Sequence, residues 1–155
     1  MSQDLIIRQA ELRDVPKLAP LFDLYRQFYK KDSDIIRADR FLSERIRNKE
    51  SVVFVAETSQ GEFYGFTQLY PSFTSLGLAR SWVLNDLYVI EGARRLGIGR
   101  LLMHAADELA RVSGAQSINL ETQIENSGAQ ALYESLGYQP ENEFQFYSKS
   151  FTPRS

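Results

Sequence analysis

The chain has 155 residues, 43% hydrophobic and 25% charged, with a formal net charge of −2, which suits one domain with a substantial core and gives no reason to expect a nucleic-acid partner. No cysteine and a single histidine exclude disulfides, a thiolate nucleophile, and metal sites built on cysteine or on paired histidines, so no metal is expected. There is no apolar run of about 18 residues and no signal-like N-terminus, so no membrane association is expected and a cytoplasmic location is the default.

Residues 4–9 contain Leu5, Ile6 and Ile7 and read as a first strand. Asp14 stands before Val15 and Pro16, the arrangement of an N-cap followed by a proline in the first helical turn. Leu18, Leu21, Phe22, Tyr25, Phe28 and Tyr29 then recur at helical spacing, which predicts an amphipathic helix ending near Lys30 and Lys31. Core packing accounts for most of this aromatic stripe, while the tyrosines at its end could border a substrate pocket. Asp32, Ser33 and Asp34 form a turn, and Asp39 is placed to cap a second short helix carrying Phe41, Leu42 and Ile46.

Residues 51–58 are a near-continuous apolar strand, and Ser59, Gln60, Gly61 and Glu62 turn it into a returning strand over residues 63–70. Gly65 marks a bulge or a close approach within that strand. Residues 71–77 read as a loop carrying Phe73, and residues 78–90 as a long central strand. A helix follows with Ile98, Leu101, Leu102, Ala105, Ala106, Leu109 and Ala110 on one stripe, His104 off it, and Ser113 and Gly114 at its end. Residues 117–122 are a further strand. Asn126 opens a helix with Ala129, Leu132, Tyr133 and Leu136 on one side, and Gly137 closes it. Residues 144–151 alternate enough to suggest a final strand, and residues 153–155 are a tail. The order implies an α+β fold, a mixed sheet with helices on both faces.

The junction between the central strand and the helix after it carries the chemistry. Leu87, Tyr88 and Val89 lead into Arg94-Arg95-Leu96-Gly97-Ile98-Gly99-Arg100. A strand feeding a glycine-bearing turn at a helix N-terminus is a natural anion site, because the first helical N–H groups are unpaired and the dipole adds positive charge. Leu102 stands where a dinucleotide-binding fingerprint needs its third glycine, and no Gly-Lys-Ser/Thr follows for a P-loop.

Arg94-x-x-Gly97-x-Gly99 instead resembles the coenzyme A pyrophosphate loop of the Gcn5-related N-acetyltransferase (GNAT) superfamily. A second segment is similar to that family's other signature: Asn126-x-x-Ala129-x-x-Leu132-Tyr133-Glu134-x-x-Gly137-Tyr138. Both stand in the family's order, joined by the expected helix and strand. Asn85-Asp86-Leu87-Tyr88-Val89 also looks like the corresponding strand of the small-amine and histone-type enzymes grouped around yeast Hpa proteins.

The resemblance implies the GNAT fold: one domain over residues 1–155, with a mostly antiparallel central sheet whose middle strands splay apart. It implies direct transfer of acetyl from acetyl-CoA to a primary amine, most readily that of a small molecule, without a covalent enzyme intermediate. A protein N-terminus or lysine is the alternative acceptor, and a non-catalytic acyl-CoA-binding module is the alternative from another class. Leu87, Tyr88 and Val89 would line the pantetheine arm, with a backbone N–H meeting the thioester oxygen. The backbone of Arg94, Arg95, Leu96, Gly97, Ile98 and Gly99 would hold the pyrophosphate with Arg100 nearby, and Asn126 would bond the pantetheine amides. Tyr133 matches the tyrosine that protonates the departing thiolate, and Asp86 is the candidate base or attractor of a cationic amine. Glu121 and Glu125 are lesser candidates. Diamine enzymes carry Glu-Asp where this chain has Asn85-Asp86, a departure that weighs against a diamine mechanism. Homodimers are frequent in the superfamily, so a homodimer is one assembly to expect.

Overall fold

The computed structural model describes residues 4–152; the tail expected at residues 153–155 lies outside the described residues. The chain forms two compact units, the first running to Glu121 and the second beginning at Thr122. The first unit is built on a five-stranded sheet in the order β1-β2-β3-β4-β5. Its strands are β1 (Leu5–Gln9), β2 (Val52–Thr58), β3 (Phe63–Thr74), β4 (Ala79–Val89) and β5 (Ser117–Leu120). The first three pairings are antiparallel and β4–β5 is parallel. Three helices complete the unit: α1 (Val15–Phe28), α2 (Ile35–Arg47) and α3 (Ile98–Val112).

Strand β2 is apolar at nearly every position because both its faces are covered. Val53 and Val55 pack with Leu18, Leu21 and Phe22 of α1 and Leu42 of α2. Phe54 and Ala56 point the other way, into a second core with Ile98 and Leu102 of α3. The mixed sheet with helices on both faces is therefore the observed architecture. Met103 is fully buried beside the expected stripe of α3, while Leu101 is 43% exposed and His104 lies on the surface.

Several local expectations change. Asp14 precedes α1 as expected, but its carboxylate makes no cap bond to that helix. It accepts from the Glu11 N–H (2.7 Å), closing a short 3-10 turn, and from the Arg8 guanidinium in β1. Helix α2 begins at Ile35, capped by Asp34, whose side chain accepts from the Arg37 N–H. Asp39 lies inside the helix, where it accepts from the Ser43 hydroxyl. Strand β3 runs on past Tyr70 through Pro71 to Thr74, so the expected loop is shorter than residues 71–77. Pro71 falls where β2 has already ended, and such an edge position tolerates proline. Phe73 pairs opposite Arg80, 71% exposed, with the guanidinium over its ring.

The second unit contains α4 (Ser127–Ser135), capped by Asn126 and closed by Gly137 at φ 94°. The final strand expected over residues 144–151 does not form among the described residues. Its aromatics occupy both alternation classes, Phe144 and Phe146 on one and Tyr147 and Phe151 on the other. No single face is marked for burial, and all four are 71–85% exposed.

Candidate active site

Strand β4 changes partners at one point. Gln68 pairs with Asp86 and Leu69 with Leu84, so Asn85 is an extra residue opposed by nothing on β3. The same place ends the other ladder, whose last pair is Leu84 with Leu120. Bulge and splay thus coincide, and a bulge re-aims the side chains beside it. Beyond it, among the described residues, no strand pairs β4 on the β5 side. The Ile90 N–H bonds the Tyr64 carbonyl. In an antiparallel ladder the backbone groups of Tyr88 therefore face β3 with those of Ile90, and those of Leu87 and Val89 face the open side. The Val89 carbonyl accepts from the Arg94 side chain there, at 3.0 Å.

Asp86 sits on the opposite alternation from Leu87, on the face covered by α1. It is 3% exposed. Its Oδ2 accepts from the Gln68 amide at 2.6 Å and its Oδ1 from the Asn85 amide at 3.0 Å. The Tyr25 hydroxyl of α1 donates to the Asn85 carbonyl oxygen at 3.5 Å and stands beside the carboxylate, whose charge it helps to hold. Burial raises the Asp86 pKa above its ordinary value, and the bonds from Gln68, Tyr25 and Asn85 only partly oppose it. Among the described residues no arginine or lysine pairs with it. Gln68 is itself fully buried, and its Oε1 has no hydrogen-bond partner.

Around the carboxylate stands a continuous aromatic group. The Tyr25 ring lies 5.2 Å from Tyr29, 5.6 Å from Phe66, 5.9 Å from Phe22 and 6.1 Å from Tyr88. Phe28 joins it through Tyr29 and Tyr88. The Arg94 guanidinium already rests over two of these rings, Phe28 at 5.5 Å and Tyr88 at 5.6 Å, so the group can hold a cation.

The loop after β4 is pinned at both ends by buried residues, Ala93 at 2% and Ile98 at 1% exposure. Between them Arg94, Arg95, Leu96 and Gly97 are all exposed. Arg95 and Gly97 are left-handed, at φ 70° and 78°. A left-handed arginine is uncommon, and successive turns of this kind gather N–H groups into a concavity that suits an anion. No side chain caps α3, and a Cβ added at Gly97 would meet nothing within 4 Å. The space over the glycine is open, as a bound phosphate requires. Gly99 and Arg100 lie in the first turn of α3. By contrast a Cβ at Gly65 would come within 2.9 Å of the Tyr88 carbonyl, confirming the close approach read from sequence.

In the second unit, Tyr133 is buried in α4 with its ring 6.1 Å from that of Tyr138. Asn126 spends its Oδ1 on the Ala129 N–H at 3.1 Å, which makes it a helix cap. Glu121, in the first unit, and Glu125, in the second, are both exposed. The fold thus gathers Asp86 with Asn85 and ties Val89 to the 94–100 loop through Arg94. Tyr25 and Gln68 are the functional candidates that residue type alone does not single out. The only trace of Gln68 in the sequence is an amide beside Thr67 within a largely apolar run.

The acetyltransferase (GNAT) family matches residues 18–138 of this chain, a span that enters both units. The uncharacterized N-acetyltransferase YhfO of Bacillus subtilis is 45% identical over 141 residues, 91% of this chain and 94% of that one. The crystal structure of a probable acetyltransferase superposes with a TM-score of 0.90 at 41% identity, covering 96% of this chain and 99% of the other. The D-amino-acid N-acetyltransferase HPA3 of Saccharomyces cerevisiae is a more distant relative, 31% identical over 64% of this chain and 60% of its own length.

Proposed function

Since the chain belongs to the acetyltransferase (GNAT) family, an acetyl-CoA-dependent N-acetyltransferase by descent, we propose that it transfers acetyl to the primary amine of a small molecule in the cytoplasm, acting as one transferase domain. The observation that carries this reading is the open side of β4. Beyond Leu84 the backbone groups of Leu87 and Val89 are turned away from β3, and Arg94, in the loop that leads to the uncapped start of α3, reaches the Val89 carbonyl. An extended pantetheine arm would pair there as an added strand, with Arg94 released from the Val89 carbonyl. The pyrophosphate would rest on the N–H groups of residues 94–99, near Arg95 and Arg100. Asn126 would offer its amide N–H₂ to the arm.

The chemistry follows from what these side chains can do. An amine attacks only when unprotonated, and Asp86, buried and raised in pKa, is suited to take its proton or to attract its charge. The attack places negative charge on the thioester oxygen, where an N–H of the open side, that of Leu87 or Val89, would stabilise it. The Tyr133 phenol would then give its proton to the departing thiolate. A single buried carboxylate among aromatic faces favours a small cationic acceptor over a polypeptide.

A screen of alkylamines, arylalkylamines, polyamines, amino acids and lysine peptides, read by thiol release from acetyl-CoA, tests the acceptor class. Turnover confined to the peptides would overturn it. Tyr133→Phe tests the acid. Turnover should fall by about 10²–10⁴-fold with acetyl-CoA affinity kept, and a normally melting variant at the wild-type rate would make Tyr133 a packing residue.

A further inference from the structure

Asp86 has a difficulty as a base acting alone. Its two oxygens are taken by Gln68 and Asn85, and only 3% of the residue is exposed. The bonds around it run from the interior outward. Gln68 to Asp86 is buried, Asn85 to Asp86 is part-buried, and the Tyr25 hydroxyl at the Asn85 carbonyl is exposed. Tyr25 is therefore the solvent-side member of the network. Its ring is fixed among Phe22, Tyr29, Phe66 and Tyr88, with its hydroxyl on the Asn85 carbonyl beside the carboxylate.

We propose that Tyr25 is a further catalytic residue, whose hydroxyl relays the proton of the incoming ammonium to the buried Asp86 carboxylate. The inference rests on the reading of Asp86 as the base. In the step, the ammonium N–H bond breaks and its proton joins the Tyr25 oxygen, while the phenolic O–H bond breaks and that proton joins an Asp86 oxygen. The phenol begins and ends neutral, one proton has crossed from nitrogen to carboxylate, and the amine has its lone pair. After acetyl transfer the proton returns to water by the same route.

The surroundings suit a relay better than a phenolate base. Burial, and then the Asp86 charge, push the Tyr25 pKa well above its ordinary value, so the hydroxyl stays protonated. Tyr29 stands beside it and Tyr70 of β3 also faces Asp86. From α2 Arg45 faces Tyr70 and is itself engaged by Glu44 and Glu50. Among these groups Tyr25 alone bonds the strand that carries the carboxylate, at the residue next to it.

Two measurements decide it. Carbon-13 titration of Asp86 needs no acceptor: Tyr25→Phe keeps the ring and removes one donor, so the Asp86 pKa should rise further. An unmoved titration in a normally melting variant overturns the relay. Turnover is then followed from mildly acidic to alkaline pH with n-butylamine, tyramine and spermidine. Tyr25→Phe and Asp86→Asn should each lower kcat by about 10²–10⁴-fold, lose the same acid limb and recover in alkali, where free amine is abundant. The double variant should be no slower than the slower single one, because both remove one path. A crippled Asp86→Asn beside a wild-type-like Tyr25→Phe would show Asp86 acting without the phenol. A wild-type-like Asp86→Asn would instead remove the base reading beneath it.

Discussion

Asp14 and Asp86 are both buried carboxylates of the first unit, 7% and 3% exposed, and their surroundings are opposite. Asp14 receives a two-pronged bond from the Arg8 guanidinium, both distances 2.9 Å, and the same guanidinium holds Glu57 at 3.1 Å. Arg8, more than burial opposes, keeps the carboxyls of Asp14 and Glu57 below their ordinary range. Asp86 receives only neutral donors, and burial prevails. The first cluster ties β1, β2 and the turn before α1 together with its charges satisfied. The second keeps a carboxylate whose charge is poorly compensated, at the bulge where β4 loses a neighbour. A buried charge of that kind costs stability, and chemistry is the reason for a fold to retain it.

The largest effect that could break this contrast is in turnover. Asp86→Asn should lower kcat by about 10²–10⁴-fold, while Asp14→Asn should leave it near the wild-type value once folding is assured. Stability should respond in the reverse sense. Asp86 holds its proton more tightly folded than unfolded, so its favourable contribution is complete below the ordinary aspartate pKa and is lost as pH rises through the raised one. The wild type should lose stability across that window, and Asp86→Asn should not. Melting curves at a series of pH values check this, and identical pH dependence in the two proteins would remove the claim that Asp86 is strained.

Asp14→Asn comes next. Removing one partner of a buried ion pair costs about 3–5 kcal/mol, but Arg8 is 27% exposed and keeps Glu57. A loss of about 1–3 kcal/mol is therefore expected in denaturant unfolding. The sign with pH is opposite to that of Asp86. The native pKa is depressed, so the stabilisation is present above the ordinary carboxylate range and is lost as pH falls through the native value. The variant should be less sensitive to acid than the wild type. An equal acid response would mean that the Arg8 cluster does not set it.

How much of this contrast could be read beforehand depends on which residues a local pattern can see. The loop over Arg94 to Gly99 and the stripe of α3 are legible because glycines at a helix start and apolar spacing are local signals. Asp86 stands out as the carboxylate of an apolar strand. Its partners are not legible, since Gln68 and Tyr25 reach it through the β3 register, the Asn85 bulge and the packing of α1. The start of α2 is hidden for another reason. Ile35 and Ile36 open that helix on its exposed side, 48% and 74% exposed, so apolar spacing points to Asp39 instead of Asp34.

Asp23 lies between the two cases and should respond on a smaller scale. It is 2% exposed and has no salt-bridging cation among the described residues. Burial pushes its pKa up, but bonds donated by Ser33 (2.6 Å), the Asp34 N–H (2.7 Å) and Gln27 (2.9 Å) outweigh it, and its carboxyl lies below the ordinary range. It holds the turn that leads into α2. Asp23→Asn keeps one acceptor and should cost about 0.5–1.5 kcal/mol for each bond it cannot remake. Unchanged stability would show that the turn holds without it.

The smallest effect is expected for Gln68→Met, and it is the most discriminating because its sign in pH differs from its size in stability. The substitution keeps length and approximate volume and removes the amide that donates the shortest bond to Asp86. It also removes the Oε1 acceptor that has no partner. Deleting a buried acceptor that is already unsatisfied relieves a cost comparable with the bond lost, so the net change in unfolding free energy should stay within about 1 kcal/mol. The titration of Asp86 should nevertheless move upward, because one of the donors opposing burial has gone. In kinetics that motion should appear as an acid limb displaced toward alkali at a maximal rate near the wild-type value. Gln68→Glu would set a second carboxyl against the first and should move the limb further in the same direction. If Gln68→Met melts like the wild type and its acid limb stays in place, the limb belongs to a group other than Asp86, and the contrast with Asp14 would then describe stability alone.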